Sequence, residues 1–502
     1  MEVSFKRVMQ NKHIFIFVIT LLCVLLICAC NHNNTQSADA LQSETDLSGR
    51  VVGVVSGTSY EIELTQRKDV KVVRLPTAID CIVALKKGRI DAFVYDEPSI
   101  NNEIRRKNGI KLAFKTSKSY PCGFAFRKED YALVAQFNKF ISGMKASGEL
   151  QEIQDKWFNA HHYDSVGMTT DEYHIETRGK LLRVGTSQTI APISFCVGKD
   201  WRGFEVEIAK RFGRYLGRSV EISLYDFAAL APALQSNAID IFMGGVFITE
   251  EREKVLTFGD SHFSCYGGFF VIDENAQVNE GFRKSIKRSF NNNLLVENRW
   301  EFLARGLWVT IRITLFSIFF GTLLGVGLYL MRKSRYRWLN SIANGYAIVL
   351  RGIPMVVLLM ILFYVIFTGF NALMVSIIAF SMTFACFASS MMNTSIQAVG
   401  NGQKEAGIAL GFTRWQTFRY IIGPQALKKA LPHFKSEAVS LIKNTSIVGY
   451  IAIQDLTRAS DMIRSRTFEA FFPLLLITLV YFILAWLMSK LLDYLFKLGT
   501  KI

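Results

Sequence analysis

Beyond Leu307 the chain contains apolar runs long enough to cross a lipid bilayer. A membrane-spanning helix needs about twenty residues. Candidate runs lie at 307–331, 348–370, 372–392, 438–453 and 471–491. The fourth run is short and contains Lys443, so we expect it to pack inside a helical bundle rather than to contact lipid. The sequence therefore predicts an all-α transmembrane domain of about five spans over 307–502.

The first 30 residues have the order of an export signal, in which a short basic stretch precedes an apolar run at 14–29. That run ends in Ile27-Cys28-Ala29-Cys30, which resembles a bacterial lipobox with Cys30 as the lipidated residue. An uncleaved anchor helix is the alternative. Residues 31–46 are rich in Asn, Ser, Thr and Gln and predict a flexible tether. In both interpretations the chain after Cys30 lies outside the cytoplasm.

Between the tether and the apolar runs, strand-like and helix-like segments alternate. Residues 50–55, 70–75 and 91–94 are predicted to be strands, and 78–87 a helix. This alternation is typical of α/β domains. The sequence therefore predicts a multidomain protein with an α/β region, between 47 and 272, in front of the membrane domain.

The formal net charge of +16 bears on function because a basic protein can bind nucleic acid through its phosphates. Here much of the Lys and Arg lies beside the apolar runs, at 332–337 and 404–435, where positive charge marks cytoplasmic loops. Nucleic-acid binding is therefore disfavoured. Basic residues between 283 and 305 would lie outside instead, and we interpret this stretch as an interfacial amphipathic segment.

The cysteines of the α/β region leave the redox state open. Cys81, Cys122, Cys196 and Cys265 show no CxxC spacing. Disulfides outside the cytoplasm and buried free thiols are both compatible with the sequence.

Two sets of short motifs occur in the α/β region. The first set is Gly53-Val54-Val55-Ser56-Gly57-Thr58-Ser59, Gly88-Arg89-Ile90-Asp91-Ala92, Asp96 and Lys156-Trp157-Phe158. The second set is Leu182-Arg183-Val184-Gly185-Thr186, Gly203-Phe204-Glu205, Gly244-Gly245 and Ile248-Thr249-Glu250-Glu251-Arg252. The first set resembles the second half of periplasmic amino-acid-binding proteins, and the second set resembles their first half. Because no motif occurs twice, we interpret the region as one circularly permuted, two-lobed periplasmic-binding-protein domain of type II; remnants of two tandem domains are the alternative.

The resemblance implies a set of domain boundaries. They are 47–118 for lobe 2, 119–158 plus 181–272 for lobe 1, 159–180 for the permutation linker and 273–306 for an interfacial connector. In this order lobe 1 would continue directly into the membrane domain, and one chain crossover near 117–119 would join the lobes.

The same resemblance implies how an amino acid would be held. Its carboxylate and ammonium need a fixed cation and a fixed anion, because burying unpaired charge is costly. Arg252 would grip the carboxylate with its planar fork, and Asp96 matches the position that takes the ammonium. Further candidates are Thr58 and Ser59 as donors, Gly245, the possible wall Phe227, Ile190 in place of an aromatic wall, and Phe247 in place of a hydroxyl. The last two departures leave the identity of the ligand open.

Between the third and fourth apolar runs lies a motif with the spacing of the cytoplasmic coupling loop of ABC importer permeases. It consists of Glu405, Ala406, Gly407, Gly411, Ile421 and Pro424, with Gly407 and Gly423 in place of the usual Ala and Leu. The segments 351–354, 415–420 and 443–446 resemble the polar-amino-acid subgroup. In that family a short helix at this position docks into a groove of the ATPase.

The resemblance therefore implies an ABC importer subunit that combines extracytoplasmic capture of an amino acid, or a related small amine or acid, with the permease pathway. The chain lacks G-x-x-x-x-G-K-[ST], so ATP hydrolysis is expected from two copies of a separate ATPase, with a second permease domain, as in a homodimer, completing the pore. We expect no cofactor, no metal and no enzymatic activity in this multi-pass inner-membrane chain. A ligand-gated receptor or sensor with the same lobes is the alternative.

Overall fold

The computed structural model describes residues 41–159, 181–187, 190–197, 200–225, 227–274, 276 and 282–499. The predicted export signal with Cys30, most of the predicted tether and nearly all of the predicted permutation linker lie outside the described residues. The chain divides into two compact units. The first is Met1–Lys118 with Tyr266–Val278, and the second is Ser119–Cys265 with Asn279–Ile502.

The α/β region contains twelve strands among the described residues. Strands β1 to β12 are Val51–Val55, Lys71–Leu75, Ala92–Asp96, Ile110–Cys122, Ala125–Phe126, Leu182–Thr186, Phe195–Val197, Asp200–Arg202, Val220–Leu224, Ile241–Met243, Thr257–Phe258 and Phe263–Ile272. Helices α1 to α8 are Ser59–Gln66, Ala78–Lys86, Asn102–Asn108, Tyr131–Ser147, Glu149–Phe158, Phe204–Tyr215, Phe227–Gln235 and Glu250–Glu253.

The sheet of the first unit has the strand order β2-β1-β3-β12-β4. Strands β2 and β3 run parallel to β1, and β12 runs antiparallel to β3. The β3 strand is buried along its whole length, as expected for a strand covered on both faces. Phe93 and Phe270 stack in this core with ring centroids 5.1 Å apart.

Strand β12 corrects the predicted chain path. Its residues from Tyr266 onward belong to the first unit, where Gly267 pairs with Asp96. The predicted lobe 1 segment 181–272 therefore ends at Cys265, and the chain re-enters the first unit before it reaches the permease. The expectation of a single crossover is wrong, because one continuous strand of 10 residues leaves one unit and completes the sheet of the other.

The sheet of lobe 1 has the strand order β11-β5-β10-β6-β9. Strand β6 is parallel to β9 and β10, and β5 pairs antiparallel with β10 through Ala125 and Phe242. Since β5 precedes the permutation linker and β10 follows it, two separate segments build this one lobe. Helix α5 is fixed to α6 in the same lobe, where Trp157 and Lys156 donate to Glu207 at 2.8 and 2.9 Å.

Asp240, which directly precedes β10, joins this strand to the neighbouring strand β6. The guanidinium and the backbone N–H of Arg183 donate to its carboxylate at 2.9 and 3.0 Å. Burial acts to raise the pKa of Asp240, but these hydrogen bonds outweigh it and hold the pKa below its usual range.

The membrane domain is helical, with an irregular connector in front of it. Helices α9 to α18 are Phe282–Phe290, Trp300–Arg332, Arg337–Gly352, Met355–Ile361, Ala372–Gln397, Asn401–Ala409, Arg414–Thr417, Gly423–Asn444, Leu456–Thr467 and Phe471–Gly499. Among the described residues, α10, α13 and α18 are long and apolar enough to cross a membrane. Helix α11 and helix α12 with its extension to Ile366 are bent by 107° relative to each other. If this bent pair is counted as one broken span, the total rises to 4.

The predicted fourth span over 438–453 is wrong as a continuous membrane helix. Helix α16 ends at Asn444, a 3-10 turn follows at Thr445–Ile451, and Ala452 has a φ of +61°. The helical part lies within the bundle, where Ala438 and Ile442 share a buried cluster with residues of α18. The predicted number of about five spans becomes three or four by length and composition among the described residues.

Small residues allow α10 and α13 to approach closely. A Cβ added at Gly325 would lie 2.6 Å from the Cβ of Ala388, and one at Gly321 would lie 2.8 Å from the Cβ of Phe384. Close packing of this kind is the main attraction between helices in a bilayer.

The described cysteines decide between the two redox alternatives left open by the sequence. Cys81, Cys122, Cys196, Cys265 and Cys386 are all free and buried. Within the described residues they are thiols in the protein interior.

Candidate ligand-binding site and coupling segment

The predicted ligand residues of the first unit lie at the carboxyl edge of its sheet. Thr58 and Ser59 follow β1, and Asp96 is the last residue of β3, which is parallel to β1. Ligands of open α/β sheets bind outside the carboxyl ends of the strands. The first unit therefore brings its predicted residues to the edge where a ligand is expected.

Asp96 is 6% exposed and accepts a hydrogen bond from the hydroxyl of Tyr60 at 3.1 Å. Tyr60 was missed by the sequence analysis, although it directly follows the motif residue Ser59. Its hydroxyl orients one carboxylate oxygen of Asp96 and so helps to preorganise an anion for a cationic group.

Thr58 and Ser59 differ in how their hydroxyl groups are used. Thr58 Oγ1 donates to the carbonyl of Val55 at 2.7 Å, so this hydroxyl already closes the turn. Ser59 is 5% exposed, and its Oγ has no hydrogen-bond partner within the described residues. A buried hydroxyl without a partner costs about 1–3 kcal/mol. Ser59 is therefore the better of the two candidates for a hydroxyl that binds a ligand.

The predicted residues of lobe 1 also lie at a carboxyl edge. Ile190 follows β6, Phe227 follows β9, and the segment from Gly244 to Arg252 follows β10. These three strands are parallel, so their carboxyl ends meet on one side of the sheet. Ile190 is buried, and its backbone forms an isolated bridge with Ser194. Its side chain is an apolar group at this carboxyl edge.

Glu205 holds the turn at Gly244 and Gly245. Both glycine N–H groups donate to Glu205 Oε2, at 2.6 and 3.0 Å, and His262 Nε2 lies 2.9 Å from Oε1. Both glycines have positive φ, 122° and 68°, which other residues rarely adopt. The amide of Gly245 is thus used inside the protein, and its contribution to the site is the shape of the turn. Glu205 belongs to one of the sequence motifs, but no role was predicted for it.

Arg252 contacts two of the other predicted residues. Its Nη1 donates to the carbonyl of Phe247 at 3.0 Å, and its guanidinium lies 5.2 Å from the ring centroid of Phe227. Phe247 in turn stacks on Tyr120 with centroids 4.9 Å apart. These contacts bring Arg252, Phe227 and Phe247 together within lobe 1, next to Tyr120, for which no role was predicted.

The predicted coupling segment is a helix-turn-helix on the surface of the permease. Glu405 and Ala406 are exposed on α14, Gly411 has a φ of +83° in the turn, and Pro424 is exposed at the start of α16. Ile421 is half-buried in the π-helical turn that continues α15.

Gly407 is the buried member of this segment, and the structure explains why it is not alanine. A Cβ at Gly407 would lie 2.5 Å from Cγ2 of Thr417. The two short helices therefore contact each other at a point that leaves no room for a methyl group.

Large apolar side chains surround these residues and face outward. Leu410, Trp415 and Tyr420 are 74%, 66% and 62% exposed. Large exposed apolar side chains of this kind are typical of surfaces that bind another protein.

Comparisons with known proteins give two family matches. Residues 42–160 and 182–357 match the bacterial extracellular solute-binding proteins, family 3. Residues 317–498 match the family described as binding-protein-dependent transport system inner membrane component.

Similar individual proteins are permeases. A putative glutamine transport system permease protein of Rickettsia felis is 31% identical over 38% of this chain and 88% of its own. The L-cystine transport system permease protein of Bacillus subtilis is 32% identical over 39% of this chain and 86% of its own. A solved structure described as an amino acid ABC transporter with histidines is 29% identical, with 44% and 99% of the two chains covered and a TM-score of 0.38.

These matches make the chain a multi-pass protein of the inner membrane with its binding domain outside the cytoplasm, and they imply a separate ATPase partner. The predicted order, with the binding region first and the permease second, is the order in which the two families match. The chain belongs to the polar amino acid ABC importer family, as a family 3 solute-binding protein and its permease joined in one polypeptide.

Proposed function

We propose that this chain captures an L-amino acid outside the cytoplasm and passes it through its permease domain. The observation that carries this proposal is Arg252, a guanidinium fixed by an aromatic ring and a carbonyl at the carboxyl edge of lobe 1. The similar permeases agree with it, since their names refer to glutamine, cystine and glutamate/aspartate transport.

Arg252 is the proposed partner of the ligand carboxylate. A guanidinium presents several N–H groups in one plane and can bind a carboxylate through two parallel hydrogen bonds. Its position over the Phe227 ring limits the rotamers of the arginine, so less side-chain entropy is lost when the ligand binds.

Asp96 is the proposed partner of the ligand ammonium. Its carboxylate, oriented by the hydroxyl of Tyr60, is an acceptor for the N–H groups of a ligand ammonium. The hydroxyl of Ser59, which has no hydrogen-bond partner in the described part of the chain, adds a polar group for the ligand, and Ile190 and Phe247 would give the site an apolar character.

The proposed assembly contains two copies of this chain and two copies of the ATPase. The exposed apolar residues of the coupling segment support a docked partner at the cytoplasmic side. The chain itself would bind no cofactor, because ATP binding and hydrolysis are left to the partner.

Calorimetry on the full chain in nanodiscs, with each of the twenty L-amino acids, tests the capture step. We expect saturable binding of at least one of them. Arg252→Lys should weaken that binding about 10- to 100-fold, because one charge-assisted pair of hydrogen bonds is worth about 1.5–3 kcal/mol. Arg89→Lys, on an exposed arginine of the first unit, is the matched control and should bind like the parent.

Asp96→Asn should weaken binding similarly, and Glu152→Gln on the exposed surface should not. Binding that is equally strong in the parent, Arg252→Lys and Asp96→Asn would refute the proposed site. Uptake of the bound amino acid into proteoliposomes only with the ATPase and ATP separates transport from a receptor, which would bind without uptake.

A further inference from the structure

Lobe 1 and the permease domain share a buried apolar interface. Its lobe 1 side comes from the β7–β8 hairpin and the end of β9, and its permease side from α17 and the start of α10. The buried members are Cys196, Leu224, Phe302, Ala459, Met462 and Ile463, with Trp201 and Leu303 packed against them. We call this cluster the seat. A second and larger apolar cluster also contains residues of both lobe 1 and the permease, among them Leu230 and Phe363.

Arg466 closes the edge of the seat. Its guanidinium lies 4.5 Å from the ring centroid of Phe195 in β7 and 2.8 Å from a carboxylate oxygen of Glu297. Arg299 pairs with the same carboxylate at 3.0 Å. These charged side chains are at most 13% exposed, so breaking one of these ion pairs would leave charge buried without that partner. Arg466 therefore ties the hairpin of lobe 1 to the connector before the first span.

The start of α17 is fixed to two membrane helices. A Cβ at Gly306 of α10 would lie 2.6 Å from the carbonyl oxygen of Asp455, so the two backbones are in close contact there. Thr310 of α10 accepts from the N–H of Leu456 at 3.3 Å, and the hydroxyl of Tyr481 in α18 donates to Asp455 at 3.2 Å.

The end of α17 is fixed to the connector. Asn293 is fully buried, accepts from the hydroxyl of Thr467 at 2.9 Å and donates to Glu469 at 2.6 Å. With both ends held, α17 is a rigid surface of the permease rather than a mobile loop. The lobe 1 hairpin lies on that rigid surface.

We propose that lobe 1 stays on the seat throughout the transport cycle and is a fixed part of the permease. Interfaces between domains that separate and rejoin are polar, whereas large apolar ones hold their domains together. The seat has a buried apolar centre and buried charge pairs at its edge. Separation would expose Met462, Ile463 and Phe302 and would leave Arg466 without its aromatic partner.

Hydrogen exchange on the full chain in nanodiscs tests this proposal. We expect slow exchange of the amides of 195–197 and 200–202 in the chain alone, with a mixture of the twenty L-amino acids, and with the ATPase, ATP and vanadate. Ile463→Asp should accelerate these amides about tenfold or more, because a charge in the apolar centre separates the surfaces. Ser465→Asp places the same charge on the other side of α17 and is the matched control.

Arg466→Ala is the second variant, because it removes the edge contact without altering the apolar centre. It should accelerate exchange of the hairpin several-fold and leave exchange in α6, inside lobe 1, at the parent rate. Two results would overturn the proposal. One is hairpin exchange in the parent that rises about tenfold over that of the chain alone when the amino acids, or the ATPase with ATP and vanadate, are added. The other is hairpin exchange that is as fast in the parent as in Ile463→Asp. Failure of amino-acid binding leaves this readout intact, so the proposed function and the fixed lobe fail separately.

Discussion

Replacing Glu205 by Gln tests whether this carboxylate holds the turn at Gly244 and Gly245, at the carboxyl edge of the lobe 1 sheet. The parent carboxylate accepts from the amides of Gly244 and Gly245 on one oxygen and lies 2.9 Å from His262 on the other. Glutamine has one carbonyl oxygen and one amide group that only donates. When its oxygen stays with the glycines, its amide faces His262 Nε2, and the imidazole proton must move to Nδ1. That atom has no hydrogen-bond partner within the described residues.

The size of the effect follows from these bonds. Two hydrogen bonds to a charged acceptor become bonds to a neutral one, a loss of about 1 kcal/mol each. The buried N–H of the imidazole adds a further cost of about 1–3 kcal/mol. Taking the glycine bonds alone, the turn should open at least about 30-fold more often, since about 1.4 kcal/mol corresponds to a factor of ten.

Residue-resolved hydrogen exchange of the two glycine amides in the full chain measures this opening. Glu207→Gln is the matched control, because Glu207 is equally buried two residues away but bonds to Trp157 and Lys156 instead of the turn. We expect fast exchange in Glu205→Gln only. Unchanged glycine exchange in Glu205→Gln, or the same increase in both variants, would show that the carboxylate does not hold the turn.

Three further predictions follow from single contacts. Gly407→Ala should lower ATP hydrolysis stimulated by transport in proteoliposomes, because its methyl group would clash with Thr417 at 2.5 Å; normal stimulation would show that the two short helices adjust. Gly325→Leu should reduce the yield of folded protein in size-exclusion chromatography because it separates α10 from α13, whereas Gly327→Leu, with open space around it, should not; equal yields would contradict the close packing. Finally, the pKa of Asp240 is lower in the folded than in the unfolded chain, so its stabilising effect is complete above the unfolded pKa and is lost as pH falls below about 4. The apparent melting temperature of the parent should therefore fall more steeply in acid than that of Asp240→Asn, and parallel curves would argue against this role.

The places of the candidate ligand residues in the fold could be predicted because these residues belong to contiguous motifs that end strands. Asp96 ends one strand and Arg252 follows another by a short loop, so local sequence is enough to place each at a carboxyl edge. Tyr60, Tyr120 and Glu205 could not be assigned a role in this way. Each acts through a partner far away in the chain, and residue type alone does not reveal such a pairing.

The chain path and the number of spans were predicted less well, for two different reasons. Strand β12 carries an unbroken β pattern, and nothing in that pattern tells which of two sheets its second half joins. The run at 438–453 is apolar but does not form one helix, because the chain changes to a 3-10 turn at Thr445 and to positive φ at Ala452. Hydropathy measures apolar content and does not detect that break.

The corrected chain path explains why contacts in the seat, and not the chain connection, orient lobe 1 on the permease. The chain leaves lobe 1 at Cys265, contributes Tyr266–Val278 to the first unit, and only then enters the permease unit at Asn279. No direct covalent segment therefore joins the end of lobe 1 to the first span. Fusion in one polypeptide gives lobe 1 a high effective concentration near the permease, but a chain connection fixes distance and leaves orientation free. The apolar centre of the seat and the contact between Arg466 and Phe195 fix that orientation.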